Sequence, residues 1–260
     1  MLFLRRHFVT QSLASAVPQI HRIQLQPAYV LHHRPYRDTS RILELFTRDH
    51  GRVSVFARGT KGTRKTAAAL ASMLQPFNRL LVSWSAGGEA GHLTAAEFDG
   101  AVSPMPPQHL VSAFYLNELL LKLCARHDGH PDIFVLYAHA IDSLASAADA
   151  IPTLRLFEKR LLDTLGYGLA LERDAASGLP VEDDAVYYYR LEQGAIRATG
   201  VADSPLTFRG RSLRMLARED LSDREVCADA RRLLRAALDR CLEGRELKTR
   251  QVMQALRRRK

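Results

Sequence analysis

The hydrophobic period of this chain changes at the proline cluster Pro104-Met-Pro-Pro107. Ahead of the prolines, apolar residues fall in short β-prone runs; beyond them they recur at helical spacing. Such a switch predicts an α+β chain, β first and helical second. Ala28-Tyr-Val-Leu-His-His and Ser40-Arg-Ile-Leu-Glu-Leu-Phe-Thr read as strands. Arg52-Val-Ser-Val-Phe-Ala follows the turn Arg48-Asp-His-Gly51 and completes a hairpin. Asn78-Arg-Leu-Leu-Val-Ser-Trp-Ser and His92-Leu-Thr-Ala-Ala-Glu-Phe flank Gly87-Gly-Glu-Ala-Gly91 as a second hairpin. Five strands within about 75 residues suit a small closed barrel, and the OB-fold is its common form. This domain is assigned to residues 25–101, behind a loosely ordered basic tail at 1–24.

Beyond the prolines, Leu110, Phe114, Leu120 and Leu121 mark a helix from His109 to Ala125. Pro131 to Leu144 and Pro152 to Leu165 read as two more, the last ended by Gly166. These make a helical domain over 102–170. Residues 171–204 lose periodicity and hold Tyr187-Tyr-Tyr189, which predicts a small irregular or β-rich insert. Helical patterning returns from Leu213 to Leu242, so 205–260 reads as C-terminal helices and a basic tail.

Charge is divided unevenly along the chain. Residues 1–84 hold 13 Lys/Arg against 3 Asp/Glu, and residues 245–260 hold 7 against one. Since the whole chain carries +9, the stretch 85–244 carries −7. Two basic ends around an acidic middle point to a polyanion partner, because phosphate contacts supply sequence-independent affinity through counterion release. Three scattered cysteines, Cys124, Cys227 and Cys241, argue against a disulfide framework and for a reducing, cytoplasmic setting. No run of about 18 uncharged apolar residues exists to span a membrane.

The chemistry-bearing candidates are few. Gly59-Thr-Lys-Gly-Thr-Arg-Lys65-Thr66 invites a phosphate-loop reading but fails on spacing, since Arg64 stands where the second glycine should be. Strand-like sequence on both sides also denies it the strand-to-helix context. It reads better as a basic loop beside a barrel groove, offering Arg58, Lys61, Arg64 and Lys65 to a phosphate backbone. All ten histidines lie at or before His139, so composition excludes a Cys/His zinc site in the insert, and no metal or cofactor is expected. His127-Asp-Gly-His130 reads as an interhelical loop. Tyr36, Phe56 and Trp84 sit where stacking platforms would be expected, with core packing the expectation for Phe56 and Trp84. One tyrosine of Tyr187–Tyr189 at least should face inward. No nucleophile motif appears, so a non-enzymatic binding protein is expected, with an RNA-binding OB protein and a nuclease as the alternatives.

Several motifs together resemble the bacterial RecO family. They are Tyr36-Arg-Asp-Thr-Ser-Arg-Ile, Phe46-Thr-Arg-Asp-His-Gly-Arg-Val-Ser-Val-Phe-Ala-Arg-Gly59 and Leu74-Gln-Pro-Phe77 in the β-region. Tyr115-Leu-Asn-Glu-Leu-Leu, Arg155-Leu-Phe-Glu-Lys-Arg-Leu-Leu, Leu165-Gly-Tyr-Gly168 and Gly244-Arg-Glu-Leu-Lys-Thr-Arg250 follow in order. The resemblance covers about residues 25–252. It implies an OB-fold and helical body that bind single- and double-stranded DNA, anneal complementary strands and engage the C-terminal tail of single-strand-binding protein. With RecR, such a protein helps place RecA on coated single strands in recombinational DNA repair, in the nucleoid. Many members carry a four-cysteine zinc module near 171–204; this chain lacks those cysteines and resembles the zinc-free branch, with hydrogen bonds and packing holding the insert instead.

On this reading Arg34, Arg37, Arg58, Lys61, Arg64 and Lys65 form one basic surface. Arg245, Lys248 and Arg250, with Arg257–Lys260, would extend it. The acidic tail of single-strand-binding protein would dock in an apolar groove of the helical body near Arg155, Lys159 and Arg160.

Overall fold

A computed structural model describes residues 22–60, 65–85, 90–146, 149–200 and 204–258. Most of the 1–24 tail, Lys61 and Arg64 of the basic loop, and Arg259–Lys260 therefore lie outside the described residues.

Five strands close a barrel in the order β1-β2-β3-β5-β4: β1 (Arg22–Tyr36), β2 (Ser40–Thr47), β3 (Gly51–Ala57), β4 (Arg79–Ser85) and β5 (Gly91–Phe98). This is the OB-fold arrangement expected from the sequence. The first strand starts at Arg22, inside the stretch read as tail, and pairs with β4 by its first half and β2 by its second. Val30, Leu43, Leu45, Val53, Val55, Leu80, Val82 and Trp84 fill the barrel. Tyr29, Leu31 and Phe46 point the other way, into the core of the helical body. The run Ala28–Leu31 is thus buried on both faces, which is why its alternation is incomplete.

The basic loop does not lead into another strand. It leads into α1 (Lys65–Met73), whose Ala67, Leu70 and Met73 pack on the barrel core. Lys65-Thr-Ala-Ala-Ala-Leu-Ala is a good helix former, so the strand–loop–helix context denied to this segment exists after all. The spacing argument against a phosphate loop is unaffected, because Arg64 still occupies the glycine position.

The body consists of α2 (Leu110–Leu123), α3 (Pro131–Ala145), α4 (Ala150–Thr164), α5 (Gly210–Ala217), α6 (Arg224–Leu242) and α7 (Lys248–Arg258). Pro131 opens α3 at its first turn. Helix α4 begins before Pro152, where the Asp149 carboxylate accepts from Ile151 N. Gly166, at φ +83°, ends it, with Tyr167 N donating back to Leu162 O at 2.8 Å.

Barrel and body share a core instead of hanging on a linker. The β-bulge between Val30 and His32 takes Leu31 out of the β1–β2 ladder. Its carbonyl accepts instead from Asn117 Nδ2 at 2.8 Å, and Asn117 Oδ1 accepts the Tyr137 hydroxyl at 2.5 Å. At the β2–β3 turn, Gly51 has φ +59°, and a Cβ there would lie 1.9 Å from Asp128 O. The His127–His130 segment is the α2–α3 loop seated on that turn, with His127 N donating to Arg52 O.

The insert is more regular than the sequence indicates. β6 (Val186–Arg190), β7 (Gly194–Arg197) and β8 (Thr207–Arg209) form an antiparallel sheet in the order β7-β6-β8, crossing the 204/205 boundary. Tyr187 and Tyr189 both join the main core, while Tyr188 stays outside under the Arg190 guanidinium. The buried Asp174 carboxylate collects Ser177 Oγ at 2.6 Å, Ala176 N and Arg197 N. Among the described residues no cluster of three His, Cys, Asp or Glu could hold a metal ion. Among them, too, no helix is long and apolar enough to cross a membrane.

Candidate nucleic-acid interface

Strands β1 and β2 meet in a hairpin whose turn holds Arg37 at φ +50°. The segment after β3 is tied to that turn by Thr60 N donating to Thr39 O at 3.0 Å. Arg34, Arg37 and Arg58 are thereby gathered at one end of the barrel, all exposed, with exposed Lys65 at the start of α1 close along the chain. Arg34, Arg58 and Lys65 make no ion pair among the described residues. Glu44, the acid on the neighbouring strand, is already held by Arg126 at 2.7 Å and by Ser54.

The register sets a second feature beside these cations. Arg34 pairs with Ile42, Ile42 with Phe56, and Phe56 with His92 across β1, β2, β3 and β5. All four residues face outward, because Val53, Val55 and Ala57 take the inward positions of β3. Core packing therefore holds for Trp84, which is 4% exposed, and fails for Phe56, which is half-buried and in neither core. The Phe56 ring lies 4.9 Å from Tyr36 and 5.5 Å from His92. Because the β3–β5 pairing is parallel and non-local, no local pattern in the sequence announces it.

The C-terminal cations sit elsewhere and are differently used. Arg245 donates to Lys122 O at 2.5 Å and to Leu242 O and Cys241 O. Arg52 donates to Leu121 O and Cys124 O. Together they satisfy carbonyls that the last turn of α2 leaves without helical partners. From Arg52 to Arg58 is six residues of extended chain, about 20 Å, so the α7 start does not continue the barrel-end patch. Arg250 pairs with Asp239 and lies over the Tyr115 ring. Lys248 stays exposed at the head of α7.

A groove of about 630 Å³ opens between α4, α6 and α7. Leu154, Pro152, Leu221 and Met253 line it, with Arg155, Arg224, Arg231, Arg235 and Arg250. At its base Glu158, 1% exposed, accepts Tyr115 Oη at 2.7 Å and Arg155 Nη2 at 2.8 Å. Burial pushes the Glu158 carboxyl above its usual range. Arg155 Nε, Arg250 Nη2 and Glu158 Oε2 are buried there with no hydrogen-bond partner among the described residues. Of the three residues expected near an acidic tail, only Arg155 enters this groove. Lys159 and Arg160 instead bind Glu219, at 3.3 and 2.5 Å. The arginines that sequence reasoning missed, Arg224, Arg231 and Arg235, stand at seven- and four-residue spacing on one face of α6. That spacing is the signal that would have found them.

The family model described as Recombination protein O N terminal matches residues 22–100, and that described as Recombination protein O C terminal matches 107–251. The chain belongs to the RecO family. The DNA repair protein RecO of Nitrosococcus oceani is 44% identical over 237 residues, covering 91% of this chain and 95% of that one. That of Azoarcus sp. is 42% identical over 238 residues, covering 90% and 97%. That of Ralstonia nicotianae is 42% identical over 234 residues, covering 90% and 85%. Membership supports a role in DNA repair and recombination, and no enzymatic activity is named in the models or in these relatives.

Three of the RecO-like motifs turn out to be one structural unit. Tyr115 reaches Glu158 of the second motif and underlies Arg250 of the third. Glu118 accepts Lys248 N, Thr249 N and Thr249 Oγ1 at 2.6–2.9 Å, capping α7.

Proposed function

We propose that this protein binds single- and double-stranded DNA at the barrel end formed by Arg34, Arg37, Arg58 and Lys65, with Lys61 and Arg64 of the adjoining loop. It anneals complementary strands there and, with RecR, helps load RecA onto DNA coated by single-strand-binding protein. The observation that carries the reading is the convergence of exposed cations at the β1–β2 hairpin and the β3 end. Two strands held on such a surface repel one another less and meet at higher local concentration, so annealing accelerates without a catalytic group. The acidic C-terminal tail of single-strand-binding protein fits the α4–α6–α7 groove, whose apolar lining residues and five arginines suit an acidic peptide. Work of this kind belongs in the cytoplasm, at the nucleoid.

Reversing Arg34 and Arg58 to Glu should weaken binding to every DNA sequence and flatten the salt dependence by about one unit for each phosphate no longer held. Fluorescence anisotropy across a salt series reads both. An unchanged slope would move the site away from the barrel end, and a preference for structured RNA would replace DNA as the ligand.

A further inference from the structure

We propose that Tyr36, Phe56 and His92 form a stacking platform for unpaired bases, which lets the barrel tell a single strand from a duplex. This rests on the reading that the neighbouring arginines hold phosphates, and adds to it a contact that charge cannot make.

Phenylalanine at position 56 is unexpected if the outer face of β3 is only a solvated surface. The strand places it outward between Ser54 and Arg58, while Val53, Val55 and Ala57 supply the barrel core. Its ring does not disappear under another element among the described residues: it stays half-buried, beside a half-buried Tyr36 and an exposed His92. The ring centroids are 4.9 and 5.5 Å apart, so the three form a continuous band across β1, β3 and β5. The Arg37 guanidinium lies 5.3 Å from the Tyr36 centroid and lengthens the band at one end. Flat guanidinium and aromatic groups are the side chains on which splayed bases stack.

Geometry then separates the two ligands. Bases inside a duplex are stacked on one another and offer only their edges, so a duplex can meet Arg34 and Arg58 but not the rings. In a single strand each base has a free face, and its phosphates can still reach the flanking arginines. Ring contact is indifferent to sequence because every base has a π-face, as a protein acting on any sequence requires.

The test compares a labelled oligothymidylate with a blunt-ended duplex, both titrated into the full-length protein. Replacing Tyr36 and Phe56 by Thr removes the rings while keeping β-branched residues in the strands. This pair should lose about ten-fold or more in affinity for oligothymidylate, while duplex affinity and both salt slopes stay at wild-type values. Tyr36→Trp with Phe56→Trp should restore single-strand binding. Equal losses on both ligands, or none on oligothymidylate, would overturn the platform and leave the rings as cross-strand packing. Arg34→Glu with Arg58→Glu isolates the underlying reading, since it should weaken both ligands and flatten both slopes whatever the ring variants do.

Discussion

Asn117 shows how a single polar residue can decide where two domains meet. The bulge in β1 frees the Leu31 carbonyl, and a buried carbonyl left unpaired is costly. Asn117 pairs it from α2 and in turn orients the Tyr137 hydroxyl. Asn117→Ala should therefore destabilise the protein by about 2 kcal/mol, read as a lower urea midpoint with barrel and body unfolding together. A wild-type midpoint would show that water replaces the amide at no cost. The sequence does not disclose this role, because Asn117 sits inside an apolar helical pattern and its partner lies 86 residues away. The same limit applies to Phe56: its outward side is legible from the alternation of β3, but its neighbours Tyr36 and His92 depend on pairings that only the closed barrel creates.

Among the elements, the barrel strands and the helices from α2 to α4 are legible because strong periodicity and turn residues agree there. Helix α1 is not, since nine residues following a basic loop give too short a pattern. The β6–β8 sheet is half legible: three consecutive tyrosines announce a strand, but β8 lies beyond the insert's apparent end. The C-terminal tail reads as charge in the sequence and is in fact a capped helix. Glu118 supplies that cap, and the hydrogen bonds from Thr249 and Lys248 outweigh burial, holding its carboxyl below the ordinary value of 4.5. A carboxyl lowered by folding contributes stability in full above that ordinary value and loses it as pH falls through the lowered one. Protection of the α7 amides, taken relative to their intrinsic exchange rates at each pH, should accordingly fall on acidification before protection in the barrel does. Glu118→Ala should abolish that pH step and leave α7 open at neutral pH; protection unchanged in the variant would assign the docking of α7 to Leu247 and Met253 alone.

For the molecule as a whole, the charge division is visible in the sequence and its meaning is not. Charge alone would allow the two basic ends to form one surface, yet Arg245 and Arg250 are committed to helix ends and the groove wall, away from the Arg34–Arg58 cluster. If the barrel end holds phosphates as proposed, the separate arginine-lined groove leaves room for an acidic peptide to bind at the same time. Arg231→Glu with Arg235→Glu should thus weaken capture of a fluorescent acidic peptide while leaving oligothymidylate affinity intact. Parallel loss of both ligands would merge the two sites into one. The central claim, that the barrel end holds strands for annealing, is tested most directly by the annealing rate of complementary oligonucleotides at fixed salt. With Arg34 and Arg58 reversed to Glu, the rate should fall toward that of the protein-free strands. A wild-type rate in that variant, with loss instead in the Arg231 and Arg235 reversal, would place annealing in the groove and contradict it.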